Sequence, residues 1–259
     1  MKETIRKIGA KLFATLAAKF GFSKSGNYSS ELAGYGKDDL MNNFFSILNN
    51  IDFIPNHIVD VGANHGSWTR ETLKYFPDAY YTLLEPQQQM LTSVADLLQT
   101  NSKVKFHAVG AGKAAGAFKF TMVDRDDSCT FFYSEEEAAK QGFAQIEIPV
   151  VTLNDFLPAT NLPIPDIIKI DAEGLDLEVL LGANNYFGET EIFMVEAAVM
   201  CKTYDNSLLK VMAFMEENGY RFFDVTDLNR TQKHTALWLV EAVFIKKGGI
   251  LDCAISTYS

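Results

Sequence analysis

From residue 57 onward, short apolar runs alternate with amphipathic helical stretches, and few folds accept that rhythm. Strands are expected at 57–61 (HIVDV), 80–84, 104–109, 166–170 and 191–196. Helices are expected between and after them, at 66–76, 86–99, 174–184 and 205–218. Near-continuous apolar strands separated by helix-length segments imply a parallel sheet buried on both faces by crossover helices. After residue 219 the helical signal fades. RFFDV and LWLVEAVFIK then read as an antiparallel pair that finishes the sheet. Between 116 and 151 the rhythm breaks, and AFKFTMV and QIEIPVV read as added strands around an acidic stretch.

The 259 residues suffice for one such sheet with additions, and 47% hydrophobic content supports a sizeable core. The expected division is an N-terminal helical extension and linker over 1–50 and the α/β domain over 51–259. Residues 2–20 carry Ile5, Ile8, Leu12, Leu16 and Phe20 on one helical face. Residues 1–24 hold six basic residues against Glu3 alone, while the whole chain carries a net charge of −10. This basic helix suits peripheral membrane contact, a dimerisation arm or packing on its own domain. The acidic balance argues against nucleic acid as a partner. Three scattered cysteines, Cys129, Cys201 and Cys253, form no metal or CxxC spacing and fit a reducing, cytoplasmic setting.

Three segments carry chemistry. The first is Asp60-Val-Gly62-Ala63-Asn64-His65-Gly66, between a strand and a helix. Gly62 permits a tight turn and close ligand approach, and Gly66 opens the helix. The spacing is G-x-x-x-G, so the dinucleotide fingerprint G-x-G-x-x-G is absent. The second is Glu85, 23 residues beyond Gly62 at the end of the next strand. An acid about 20 residues beyond the glycine turn is placed to accept hydrogen bonds from both ribose hydroxyls, and it repels a 2′-phosphate. The third is Lys169-Ile-Asp171-Ala-Glu173-Gly174, at the carboxyl end of the fourth expected strand, where open α/β sheets bind ligands. Asp171 and Glu173 are expected on one side of an extended chain. There they would orient or deprotonate a hydroxyl, or hold a divalent metal should one bind. Glu196, closing the fifth strand, and His65, inside the glycine turn, complete the candidates for acid–base work.

Together these stretches resemble the FkbM-type methyltransferases, a branch of the class I S-adenosylmethionine-dependent enzymes. The resemblance is carried by Asp60–Gly66 with Thr69, Glu85-Pro86, His107-Ala-Val109-Gly110 with Gly116, Val151-Thr-Leu-Asn-Asp155-Phe, and Ile168-Lys-Ile-Asp-Ala-Glu-Gly174-Leu-Asp-Leu-Glu178-Val-Leu-Leu-Gly182-Ala183. It covers about residues 56–245 and leaves out the first 50. It implies a Rossmann-like, mostly parallel seven-stranded sheet with an antiparallel final strand and helices on both faces. It also implies transfer of a methyl group from S-adenosylmethionine to an oxygen of a sugar, glycan or secondary metabolite. By position, Asp60, Gly62, Ala63, Asn64 and Gly66 would line the methionine and ribose side of the cofactor. Glu85 with Pro86 would hold the ribose, and Val109 would border the adenine. His65 and Trp68 stand where smaller or aliphatic residues are usual, and Asn154 replaces a more usual acid. The insertion at 121–143, with Phe131, Phe132 and Tyr133, reads as a lid over the acceptor or as a surface excursion. Two other readings stay open: another nucleotide-using enzyme on this fold, and a non-catalytic adenosine-binding module. The second would place Asp171 and Glu173 in structural hydrogen bonds away from the cleft.

Overall fold

The computed structural model describes residues 39–123, 133–200 and 206–256. All belong to one unit, Lys37–Ser259; a second unit, Met1–Gly36, lies outside the described residues, as do Cys129, Phe131, Phe132 and Cys201. The basic N-terminal helix expected over 2–20 and its linker fall in that undescribed stretch.

Every residue of β1 (His57–Val61) is buried, as a central parallel strand requires. Around it run β2 (Tyr80–Leu84), β3 (Val104–His107), β7 (Ile167–Ile170) and β8 (Ile192–Ala198), all parallel. The hairpin of β9 (Tyr220–Arg230) and β10 (Leu237–Lys246) closes the sheet, with β10 antiparallel to both β8 and β9. The order is β3-β2-β1-β7-β8-β10-β9, so the expected seven-stranded sheet with its reversed end is present. The added strands form a sheet of their own: β4 (Gly110–Ala111), β5 (Gly116–Met122) and β6 (Ala144–Val151), in the order β4-β6-β5.

Two apolar layers cover the main sheet. On one face, Ile58, Met194 and Val243 pack with Phe44, Phe45 and Leu48 of α1 (Leu40–Asn50), Phe76 after α2 (Ser67–Tyr75), and Leu251 of the last helix (Ile250–Ala254). On the other, Val59, Ile168 and Val195 pack with Leu153 and Leu157 of a helix over Leu153–Ala159, Val179 of a helix over Asp176–Leu181, and Val211 of a helix over Leu208–Glu217. Helix α1 is therefore part of this core. The expected boundary after residue 50 sets this helix apart from the domain, yet its two phenyl rings are fully buried, Phe44 against Phe223 of β9 and Phe45 against Trp68 and Phe76.

Three local features differ from the periodicity. The helix expected over 86–99 is two short pieces, α3 (Met90–Ser93) and α4 (Ala95–Thr100). Arg70 donates to the Ser93 carbonyl at 2.9 Å, taking the acceptor that a continuous helix would offer Leu97, and it pairs with Asp96 at 2.5 Å. The helix expected from 174 starts at Asp176, because Glu173 and Gly174 adopt positive φ. Leu153–Ala159 is a helix that the apolar spacing does not predict. It is nucleated by Thr152, whose hydroxyl accepts the Asp155 N–H at 3.1 Å, and it tolerates Pro158 near its end.

Phe45 lies edge-on to both Trp68 (6.1 Å) and Phe76 (5.9 Å). Phe45→Ala is expected to cost about 3–5 kcal/mol of unfolding free energy, as for a central core phenylalanine. Urea denaturation checks this; an unchanged midpoint would mean that α1 is a detachable extension.

Candidate functional site

At the carboxyl ends of the parallel strands lies a cavity of about 620 Å³. The turn after β1 forms its floor. Gly62 has φ +73°, and a Cβ there would sit 1.8 Å from the carbonyl oxygen of Asp171, so the β1 turn and the end of β7 touch backbone to backbone. Ala63, Asn64, His65, Glu85, Pro86 and Val109 line the cavity along β1 to β3, and Asp171 and Glu173 line it at β7.

Glu85 is 3% exposed. Its two oxygens accept backbone N–H groups of Asn64 and Gln87, each at 2.9 Å. Burial pushes its carboxyl above the ordinary range, while those N–H groups and the Lys169 charge draw it back. The two bonds orient the carboxylate and leave further lone pairs on both oxygens.

Two residues of the glycine turn have other work than the expected contact with a ligand. Asp60 is fully buried and does not line the cavity. Thr69 donates to one of its oxygens at 2.6 Å, and Lys169 Nζ stands 3.3 Å from the other. Gly66 caps α2 and is also absent from the lining. A Cβ on it would meet Val94 at 2.9 Å, so its smallness serves helix packing.

Lys169 is the residue whose role the spacing did not disclose. The residue is 4% exposed, and its ammonium donates to the Gly62 carbonyl at 3.1 Å and lies 3.4 Å from Asp171. Burial alone would lower its pKa, but Asp60, Asp171 and Glu241 together push it above the usual lysine range. One cation thus ties the β1 turn, the end of β7 and the carboxylate of β10 together.

Asp171 and Glu173 meet at the cavity through a turn and not through strand alternation. β7 ends at Ile170, and Glu173 has φ +50°, an unfavourable conformation for a side chain of this kind. Glu196 is not part of the lining. Burial, then Asp171, Asp176 and Glu173, push its carboxyl well above the carboxylate range, with Lys169 pulling the other way. His65 is exposed at the rim, with Nδ1 3.0 Å from Ser93 Oγ. His107 stacks edge-on to Phe156 at 4.9 Å, and His234 is exposed on a loop. Among the described residues, no group of three or more His, Cys, Asp or Glu is arranged to hold a metal ion. Asn154 bonds Asn184 at 2.6 Å and is structural. Phe120, just before the insertion, reaches the cavity, whereas Tyr133 within it packs on Phe143.

Residues 60–222 match the Methyltransferase FkbM domain, well over half of the chain. The protein belongs to this family of methyltransferases. Among curated relatives, "Methyltransferase 1" of Beauveria bassiana (strain ARSEF 2860) is 23% identical over 145 residues, which are 49% of this chain and 58% of that protein. This chain thus spans little more than half of that relative. "Methyltransferase sdnD" of Sordaria araneosa is 25% identical over 65% of this chain and 74% of its own. Among solved structures, the methyltransferase FkbM from Methylobacillus flagellatus KT is 19% identical, with a TM-score of 0.48, over 72% of this chain and 43% of that one.

The family match stops at 222, but the cavity does not. Leu40 and Met41 of α1, and Thr226, Asp227 and Glu241 of the hairpin, also line it. Glu241 had a legible signal, as the one acid inside the apolar run LWLVEAVFIK. No described helix is long and apolar enough to cross a membrane.

Two expected outcomes follow from the charges. Lys169→Met strands Asp60 without its cation and should cost about 3–5 kcal/mol in denaturant unfolding. A loss below 1 kcal/mol would show that the ammonium is not the tie described. Asp176 is fully buried, and burial raises its pKa to about 7 against the pull of the Ala172 N–H. A raised carboxyl stabilises the fold fully below its unfolded pKa and loses that contribution as pH rises through about 7. Asp176→Asn should therefore gain on wild type by about 2 kcal/mol between pH 5 and pH 8. Urea midpoints at both pH values test it, and a constant gap would refute it. The Asn206 Oδ1 atom, which has no hydrogen-bond partner among the described residues, is available to the new amide.

Proposed function

We propose that this protein is an S-adenosylmethionine-dependent O-methyltransferase whose acceptor is a hydroxyl of a sugar, glycan or secondary metabolite. The observation that carries the reading is Glu85. It is buried at the end of β2, held by two backbone N–H groups, and opens onto the same cavity as the Gly62 turn.

The residues present suit the cofactor. Gly62 leaves room for close approach to the backbone, Glu85 presents a carboxylate to ribose hydroxyls, and Val109 with Pro86 offers apolar cover for a purine. The bound cofactor supplies an electrophilic methyl group on a sulfonium. The chain's own task is to hold the acceptor in line and exclude water. A hydroxyl is a weak nucleophile at neutral pH, so an acceptor oxygen gains from a hydrogen bond to a carboxylate. Asp171 and Glu173 are the carboxylates of the β7 turn that line the cavity. That placement speaks against the non-catalytic module, which calls for both to be turned away from the cleft. Lys169 steadies Asp171 by charge and leaves its second oxygen for the acceptor.

Calorimetric titration with S-adenosylhomocysteine tests the reading. Binding in the micromolar range is expected for wild type. Glu85→Ala should weaken it at least tenfold, the loss of a charge-assisted pair of hydrogen bonds. Folded wild type that fails to bind would remove the proposal.

A further inference from the structure

The last strand places an acid where its own pattern calls for an apolar residue. Along β10, Val243 and Ile245 face the core layer of α1 and are buried. Alternation puts residue 241 on that same face, and it is a glutamate. Its register partners are Glu196 on β8 and Asp227 on β9. Ile170, the last residue of β7, pairs with Val195, so the turn residue Asp171 leaves β7 at the end of the row that holds Glu196 and Glu241. With strands about 4.8 Å apart, the Asp171 and Glu241 backbones stand roughly 10 Å apart across that row. Both side chains line the cavity, and Glu196 between them does not.

The fold answers this carboxylate only in part. Thr226 donates its hydroxyl to one Glu241 oxygen, and the other has no hydrogen bond among the described residues. Burial lifts its pKa to about 7, with Lys169 pulling the other way. The walls around it carry the same sign. Asp39, Glu71, Asp171, Glu173 and Asp227 also line the cavity, and the one lysine among the lining residues, Lys169, is already engaged by Asp60 and Asp171. The cavity wall also holds an unanswered donor. Trp68 lines it, and its indole N–H is buried with no acceptor among the described residues.

We propose that Glu241 is an acceptor-binding residue, receiving a hydrogen bond from the group to be methylated and restricting the site to uncharged or cationic acceptors. A hydroxylated acceptor suits both orphans of the cavity, since a hydroxyl donates where Glu241 accepts and accepts where Trp68 donates. A phosphorylated or carboxylated acceptor would bring a second anion into a space walled by carboxylates. The inference rests on the methyltransferase reading, because it takes the cofactor to lie along β1 to β3. It goes beyond it by assigning specificity to a strand outside the FkbM match at 60–222.

Sinefungin tests this without a known acceptor. In that analogue an amine-bearing carbon replaces the methylated sulfonium, so its ammonium projects toward the acceptor side. Affinities for sinefungin and for S-adenosylhomocysteine are measured on wild type, Glu241→Gln and Thr226→Val. Wild type should prefer sinefungin. Glu241→Gln should lower that preference about fivefold while S-adenosylhomocysteine binds within twofold of wild type, the loss of one charge a few ångströms off in a partly wet cavity. Thr226→Val removes the hydrogen bond that holds Glu241 but keeps the charge, and should keep the preference. An unchanged preference in Glu241→Gln, or none in wild type, overturns the assignment of Glu241 and leaves the cofactor site standing. An equal loss of both ligands in Glu241→Gln and Thr226→Val marks Glu241 as structural and also overturns it. Wild type that binds neither ligand overturns the methyltransferase reading, and this inference with it.

Discussion

A single buried ammonium sits at the seam on which the site depends. Lys169 lies between β1 and β7, the two central strands, where Asp60 is fully buried and the Gly62 carbonyl points inward. An unpaired charge at that depth would be prohibitive, so each partner requires the others. The carboxylates need the cation, and the cation needs the carbonyls of the turn. Because Gly62 lacks a Cβ, the turn can close onto the Asp171 backbone, and the same closure opens a cavity above it.

That cavity has two halves of different origin. Along β1 to β3 its wall is backbone turn, one oriented glutamate and apolar cover, which suits a nucleoside. Along β7 to β10 its wall is acidic and hydroxylic, which suits a hydrogen-bond donor. The first half lies within the FkbM match. The second draws on α1 and the terminal hairpin, elements on either side of it in sequence. The two halves meet at Lys169, whose charge is felt by Asp171 and Glu241 of the acidic wall and by Glu85 of the other.

The strands were legible because each is a short apolar run bounded by turn residues, and the cofactor-side acids because they end those runs. Less legible was anything decided by a side chain from elsewhere. Arg70 splits the helix expected over 86–99 by claiming the Ser93 carbonyl, an event that local propensity does not record. Asp60 reads as a ligand contact from its place beside the glycine turn, but Thr69 and Lys169 consume it. Glu196 reads as a strand-end base, yet burial and the nearby acids Asp171, Asp176 and Glu173 push its carboxyl above the ordinary range. Helix α1 reads as an extension because nothing local says where its aromatic face will land.

By itself the sequence determined the sheet and its reversed end, since periodicity two against periodicity 3.6 is a local property of the chain. It also determined the Gly62 turn and the distance to Glu85, because both are counted along one strand–helix–strand unit. Only the tertiary structure decided which acids face the cavity. Asp171, Glu196 and Glu241 come from the turn after β7 and from β8 and β10, as far as 70 residues apart, and they come together only once the register is set. Charge interactions depend on distance in space, and the chain does not carry that distance until it is folded.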